Sequence, residues 1–193
     1  YHPRVPISID ADRYCLGRCV TTAVDAGSAG CDTFDEFRSA VVAQRRTRLL
    51  AFLHISRIGL SHAGLGGDSD TPGELDNIDD VDTRACIDTI EANRDLIIGV
   101  KIRLSDTCAD NGRNEAESYR RAREAAASTD LPLMVHHSFS TVPLEDCPGK
   151  MSSGDVYTHC FHGFPSTIID PDTRSILPVV HDARQRGVLF DIG

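Results

Sequence analysis

Residues 96–105 read "LIIGVKIRLS". The run is almost unbroken in Ile, Val and Leu, the composition of a strand covered on both faces, as in a parallel sheet. Strict alternation would have pointed to a sheet with one wet face. Five further runs share this character: "CVTTAVDAG" (19–27), "TRLLAFLHIS" (47–56), "LPLMVHHS" (131–138), "DVYTHCFH" (155–162) and "GVLFDIG" (187–193). Between them the sequence predicts helices at about 32–46, 79–94, 113–128 and 173–186. The first places Phe34, Phe37, Val41 and Val42 on one face behind a good cap, and so reads as an amphipathic crossover. The third, "RNEAESYRRAREAAAS", has strong helix formers but few large apolar residues, so it is expected on the outside. Strands alternating with helices imply an α/β fold, with parallel strands joined by helical crossovers.

Composition bounds the function. The chain has 193 residues, 40% hydrophobic and 25% charged, enough to bury a real core. No repeat, low-complexity tract or linker divides it, so residues 1–193 are expected to form a single domain. Twenty basic against 29 acidic side chains leave a net charge of −9, which repels phosphate backbones and anionic lipid. Nucleic acid and membranes are therefore not expected as partners. No stretch reaches the ~18 uninterrupted apolar residues of a membrane span, and the first residues lack the layout of a signal peptide. The first residue is Tyr1 rather than Met, so the native start is expected upstream.

Seven cysteines, with no C-x-x-C pair, read as reduced thiols in a cytoplasmic protein. Cys15 and Cys19 make at most half a zinc site. Residues 62–82, rich in Gly and Asp, read as a long solvated loop. Within it Asp68, Asp70 and Gly73 echo a calcium loop, but Pro72 and Asp79 stand where a ligand and a glutamate are needed.

Chemistry gathers at the carboxyl ends of parallel strands, where the connecting loops leave a crevice. Three successive strands deliver Lys101, then His136 and His137, then His159 with His162 close behind. Singly, a strand-end histidine is more often a packing residue, and a strand lysine can reach past the edge to water. Together they can meet one cation, since neutral imidazole is the commonest protein ligand for zinc. A lysine there must have a lowered pKa or be converted to an anionic carbamate. Arg103 shares a strand face with Lys101. It can recognise a substrate carboxylate or simply close a surface ion pair. Asp25, Ser28, His54 and Ser56 read as supporting residues near the same rim.

Six segments in order, "TTAVDAGSAG", "LLAFLHISRIGL", "GVKIRLS", "LPLMVHH", "GDVYTHCFHG" and "RGVLFDIG", resemble the barrel strands of amidohydrolase-superfamily metallohydrolases. The nearest branch is the deacetylase-like, dihydroorotase-like one. The resemblance implies an incomplete TIM-type (β/α) barrel whose full-length form is a zinc-dependent hydrolase of an amide, cyclic amide or acyl ester. It implies one or two Zn2+ ions, a carboxylated bridging Lys101, and His136 and His159 as ligands. Arg103, His162 and His137 are then candidates to face a small-molecule substrate, though His137 and His162 can equally be structural. A homo-oligomer is compatible with this reading.

The departures from that family are definite. Its first-strand His-x-His is absent, since Tyr1 begins just after its place and His2 has no partner at the required spacing. Its last-strand aspartate, the general base, is expected downstream of Gly193. The chain is thus expected to hold strands two to seven of eight, consistent with the ~250 residues of a whole barrel. The alternative is a non-catalytic, degenerate barrel serving as a binding or interaction module. A nucleotide-binding fold is disfavoured because no G-x-G-x-x-G or P-loop follows the first strand.

Overall fold

The structure, a computed structural model, describes residues 1–2, 4–5, 8–62 and 71–193. Six strands form in the six apolar runs: β1 (Thr22–Ala26), β2 (Arg48–His54), β3 (Ile97–Leu104), β4 (Leu133–His137), β5 (Val156–Thr158) and β6 (Leu189–Phe190). They make one sheet in chain order, every pairing parallel. The sheet curls into an incomplete barrel with helices over its convex face.

Burial along the strands separates the two faces. In β1, Ala23 and Asp25 are buried while Thr22, Val24 and Ala26 are exposed. In β4, Leu133, Val135 and His137 are buried, and Met134 and His136 between them are half-buried. The convex face is therefore sealed and the concave face is partly open. Cα register carries this across the sheet, pairing Arg103 with His136 and His136 with Thr158 on the concave side.

The helices are α1 (Ala11–Tyr14), α2 (Phe34–Glu36), α3 (Thr83–Ala92), α4 (Glu115–Thr129) and α5 (Pro178–Gln185), with α3 packed on β2 and α4 on β3 and β4. α3 is capped by Asp82, whose carboxylate accepts from the Ala85 N–H at 2.9 Å. α4 buries a stripe of Ala122, Ala125 and Ala126 beside Tyr119. Small residues let this otherwise polar helix sit close on the sheet. α5 starts with Pro178, whose fixed φ and missing N–H suit a first helical turn. It starts later than expected because Ile169 and Ile176 form an antiparallel bridge ahead of it.

Two expectations need correction. The helix expected at about 32–46 is broken. After α2 the backbone widens into a π-turn over Phe37–Val41 and tightens to a 3-10 turn over Val42–Gln44. The wider turn keeps Phe34, Phe37 and Val41 all on the core, leaving Val42 half-buried. The loop at 62–82 is not solvated throughout. Asp68 and Asp70 lie outside the described residues, but Gly73, Glu74 and Leu75 are buried. Leu75 donates its N–H to the Cys108 carbonyl at 2.9 Å. This draws Glu74 toward the barrel mouth.

All seven cysteines are unbridged. No described helix is long and apolar enough to cross a membrane.

Candidate functional site

The site forms where the concave face meets the carboxyl ends of β2 to β6. Register places His54 beside Lys101 and Arg103 beside His136. The rings of His136 and His159 meet edge to face, centroids 4.5 Å apart. Regular alternation would turn Thr158 and His159 to opposite faces. His159 escapes this because its backbone is left-handed, φ 59°. That conformation also stops β5 at three residues. A strained non-glycine backbone beside clustered polar groups is a frequent mark of a functional site.

The electrostatics favour neutral donors. Lys101 is lowered from 10.5 to about 7, chiefly by burial; Asp191 and Glu74 push it up and Arg103 pushes it down. Burial, followed by the charges of Lys101 and His159, holds His136 down at about 2. His159 is lowered by burial and by Lys101, and raised in part by its hydrogen bond to the Ile192 backbone. The His136 Nε2 lies 2.7 Å from the Ser138 hydroxyl. Two imidazoles and an amine, all biased against protonation, fit a divalent cation as a donor set. Among the described residues no group of three His, Cys, Asp or Glu side chains is arranged to hold an ion.

Under this pair lies a second buried cluster. Arg103 grips Glu74 with two donors, Nε at 2.7 Å from Oε1 and Nη2 on Oε2. Glu74 is fully buried and Arg103 nearly so. Arg103 thus makes an ion pair with an internal carboxylate rather than a surface one. His54, also fully buried, has Nε2 3.7 Å from Glu74 Oε1, too far for a hydrogen bond. Its Nδ1 accepts from the Ser56 N–H at 3.1 Å, so the neutral ring carries its proton on Nε2. Burial, with Lys101 and Arg103, keeps His54 well below its usual pKa.

The other candidates divide. His137 turns to the sealed convex face, donating Nε2–H to the Val142 carbonyl (2.9 Å) and accepting on Nδ1 from the Tyr157 hydroxyl (3.0 Å). It is a packing residue. His162 stays on the rim, half-buried, its Nε2 3.0 Å from the His137 carbonyl and its ring stacked on Phe164. Asp25 accepts from the N–H groups of Gly27 and Ser28 and from the Ser28 hydroxyl, shaping the turn after β1.

Sequence reasoning missed two residues at the mouth. Glu74 sits in a loop with no periodic signal. Asp191 accepts from the Thr158 hydroxyl (2.6 Å) and the Gly193 N–H (2.7 Å), and its charge reaches Lys101. Its place right after the apolar "VLF" of the last strand was the available clue.

No family model matches the chain. It is 31% identical over 183 residues to a deacetylase of Enterococcus faecalis, an alignment covering 94% of this chain and 46% of that protein. Deacetylases of Brucella anthropi and Agrobacterium fabrum are each 30% identical over the whole chain, covering 46% and 45% of their own lengths. A solved adenine deaminase superposes with a TM-score of 0.86 at 28% identity, over 98% of this chain and 49% of that one. A dihydroorotase gives 0.76 at 30%, over 90% and 51%. The chain spans about half the length of the curated relatives it matches. It belongs to the amidohydrolase superfamily, in the branch of deacetylase-like and dihydroorotase-like hydrolases, as part of a (β/α) barrel.

Proposed function

We propose that the full-length protein is a zinc-dependent hydrolase of a small molecule, cleaving an amide, cyclic amide or acyl ester. The observation that carries this reading is the His136 and His159 ring pair, 4.5 Å apart over the buried Lys101. Zinc held there would supply Lewis acidity, making water nucleophilic near neutral pH and polarising an acyl carbonyl.

The chain's own residues have distinct parts. His136 and His159 offer nitrogen lone pairs, since burial keeps both rings from protonating. The Lys101 amine adds to carbon dioxide, forming an N–C bond and releasing a proton. The resulting carbamate places two oxygen donors where an ammonium would repel a cation. Arg103, held by Glu74, lies beside His136, where it is the candidate to meet an anionic portion of the substrate. His162 lines the rim.

The second reading is a non-catalytic barrel that serves as a binding module. Elemental analysis of the full-length protein, with a screen of N-acyl, O-acyl and cyclic-amide compounds, separates the two. Bound zinc with turnover supports the hydrolase. Neither zinc nor turnover leaves the binding module.

A further inference from the structure

Gly27 directly follows β1 with φ +90° and faces the stem of Lys101. A Cβ built on it would stand 2.4 Å from Lys101 Cγ and 2.7 Å from Lys101 Cβ, with His54 Cδ2 at 3.4 Å. The first two separations lie far inside van der Waals contact. The atoms concerned are those nearest the Lys101 main chain, so the side chain cannot evade them by swinging its tip. Nor can the main chain give way easily. β3 is paired on both sides at this position, Lys101 with His54 and with Met134.

We propose that Gly27 is a positioning residue for Lys101: its bare Cα forms the wall along which the lysine stem runs, and any side chain there drives the amine out of the mouth. This inference rests on the metal-site reading for its consequence, but the steric claim stands on the geometry alone. Every strand-end group in the site is held by a hydrogen bond or ring contact, whereas the lysine stem is aliphatic and depends on the shape of its channel. The tight approach of Gly27 provides that shape.

The chain contains its own control. Gly154 has the same φ of +90°, yet a Cβ there meets nothing within 4 Å. Alanine at either position bears the same left-handed strain. Only at Gly27 does it also meet Lys101. The chain also has just two lysines, Lys101 buried and Lys150 exposed, so amine labelling reads one against the other.

The test uses Gly27→Ala and Gly154→Ala in the full-length protein. In metal-free protein, labelling by an amine-acylating reagent is followed at each lysine by mass spectrometry. Zinc content after dialysis against zinc is measured separately. The expected result is a several-fold rise of Lys101 labelling relative to Lys150 in Gly27→Ala, together with lost zinc, and wild-type values of both in Gly154→Ala. Lys101 labelling in Gly27→Ala equal to that in Gly154→Ala overturns the proposal. So does undiminished zinc. If the wild-type protein itself takes up no zinc, the metal reading fails, and the labelling ratio alone still decides the role of Gly27.

A coupling measurement covers poor folding of Gly27→Ala. In a Lys101→Gly background the thermal cost of Gly27→Ala is expected to shrink to that of Gly154→Ala. A cost that stays unchanged in that background refutes the steric pairing.

Discussion

His136 and His159 come from adjacent strands and meet edge to face at 4.5 Å because His159 sits in a left-handed backbone at the end of β5. Two imidazoles this close repel when both are charged, and burial already disfavours that state. Both rings are thus biased to the neutral form, the form whose nitrogen lone pairs can bind a cation.

Removing either ring should therefore remove the cation. His136→Ala and His159→Ala are each expected to lose zinc by more than the ~10–100-fold in affinity typical of changes to outer hydrogen-bond partners of a metal. Lys101→Ala should do the same, and turnover should fall with zinc content. Elemental analysis after dialysis is the check. Full zinc content in all three variants would dismiss the site.

Glu74→Gln leaves the Arg103 guanidinium buried without its carboxylate. A buried pair broken on one side costs about 3–5 kcal/mol, and urea unfolding of this variant should show a loss of that order. The double variant Glu74→Gln/Arg103→Met should regain most of it, because the stranded charge is gone. A double variant no more stable than Glu74→Gln would place the cost elsewhere.

Asp155 offers a pH test away from the mouth. Its carboxylate accepts from the N–H groups of Leu133 and Ser152, yet burial outweighs these bonds and raises its pKa above 3.8. A group with a raised folded pKa contributes stability that is complete below 3.8 and is lost as pH rises through the folded value. Asp155→Asn cannot ionise, so its stability should lack this component of decline above 3.8 in denaturant titrations. Identical pH slopes for the two proteins would remove burial as the dominant influence.

The segment 1–193 taken alone carries one-sided pairing at β1 and at β6, with Leu189 57% and Ile192 74% exposed. Open strand edges next to apolar surface favour association. Sedimentation of the isolated segment should show oligomers, and Leu189→Lys with Ile192→Lys should raise the monomer share. A monodisperse wild-type segment that unfolds cooperatively would count against this.

How much of this was legible varies with the kind of signal. The six strands were readable because nearly continuous Val, Ile, Leu and Phe runs suit only a sheet covered on both faces. The histidine-bearing strand ends were readable for the same reason, as were their family likeness and order. That His137 faces away from His136 also follows from strand alternation. The break in the first crossover was hidden, because Phe34, Phe37 and Val41 fit a helical pattern about as well as a widened turn.

The sequence by itself determined which segments are strands and that helical crossovers make them parallel, since apolar runs and their alternation with helices are properties of the local chain, while the barrel order rested on the family likeness. Only the tertiary structure decided that Glu74 folds in to hold Arg103, that His159 turns back toward His136, and that Gly27 walls the lysine stem. Each of these depends on contacts between residues distant along the chain, or on one backbone angle that composition does not specify.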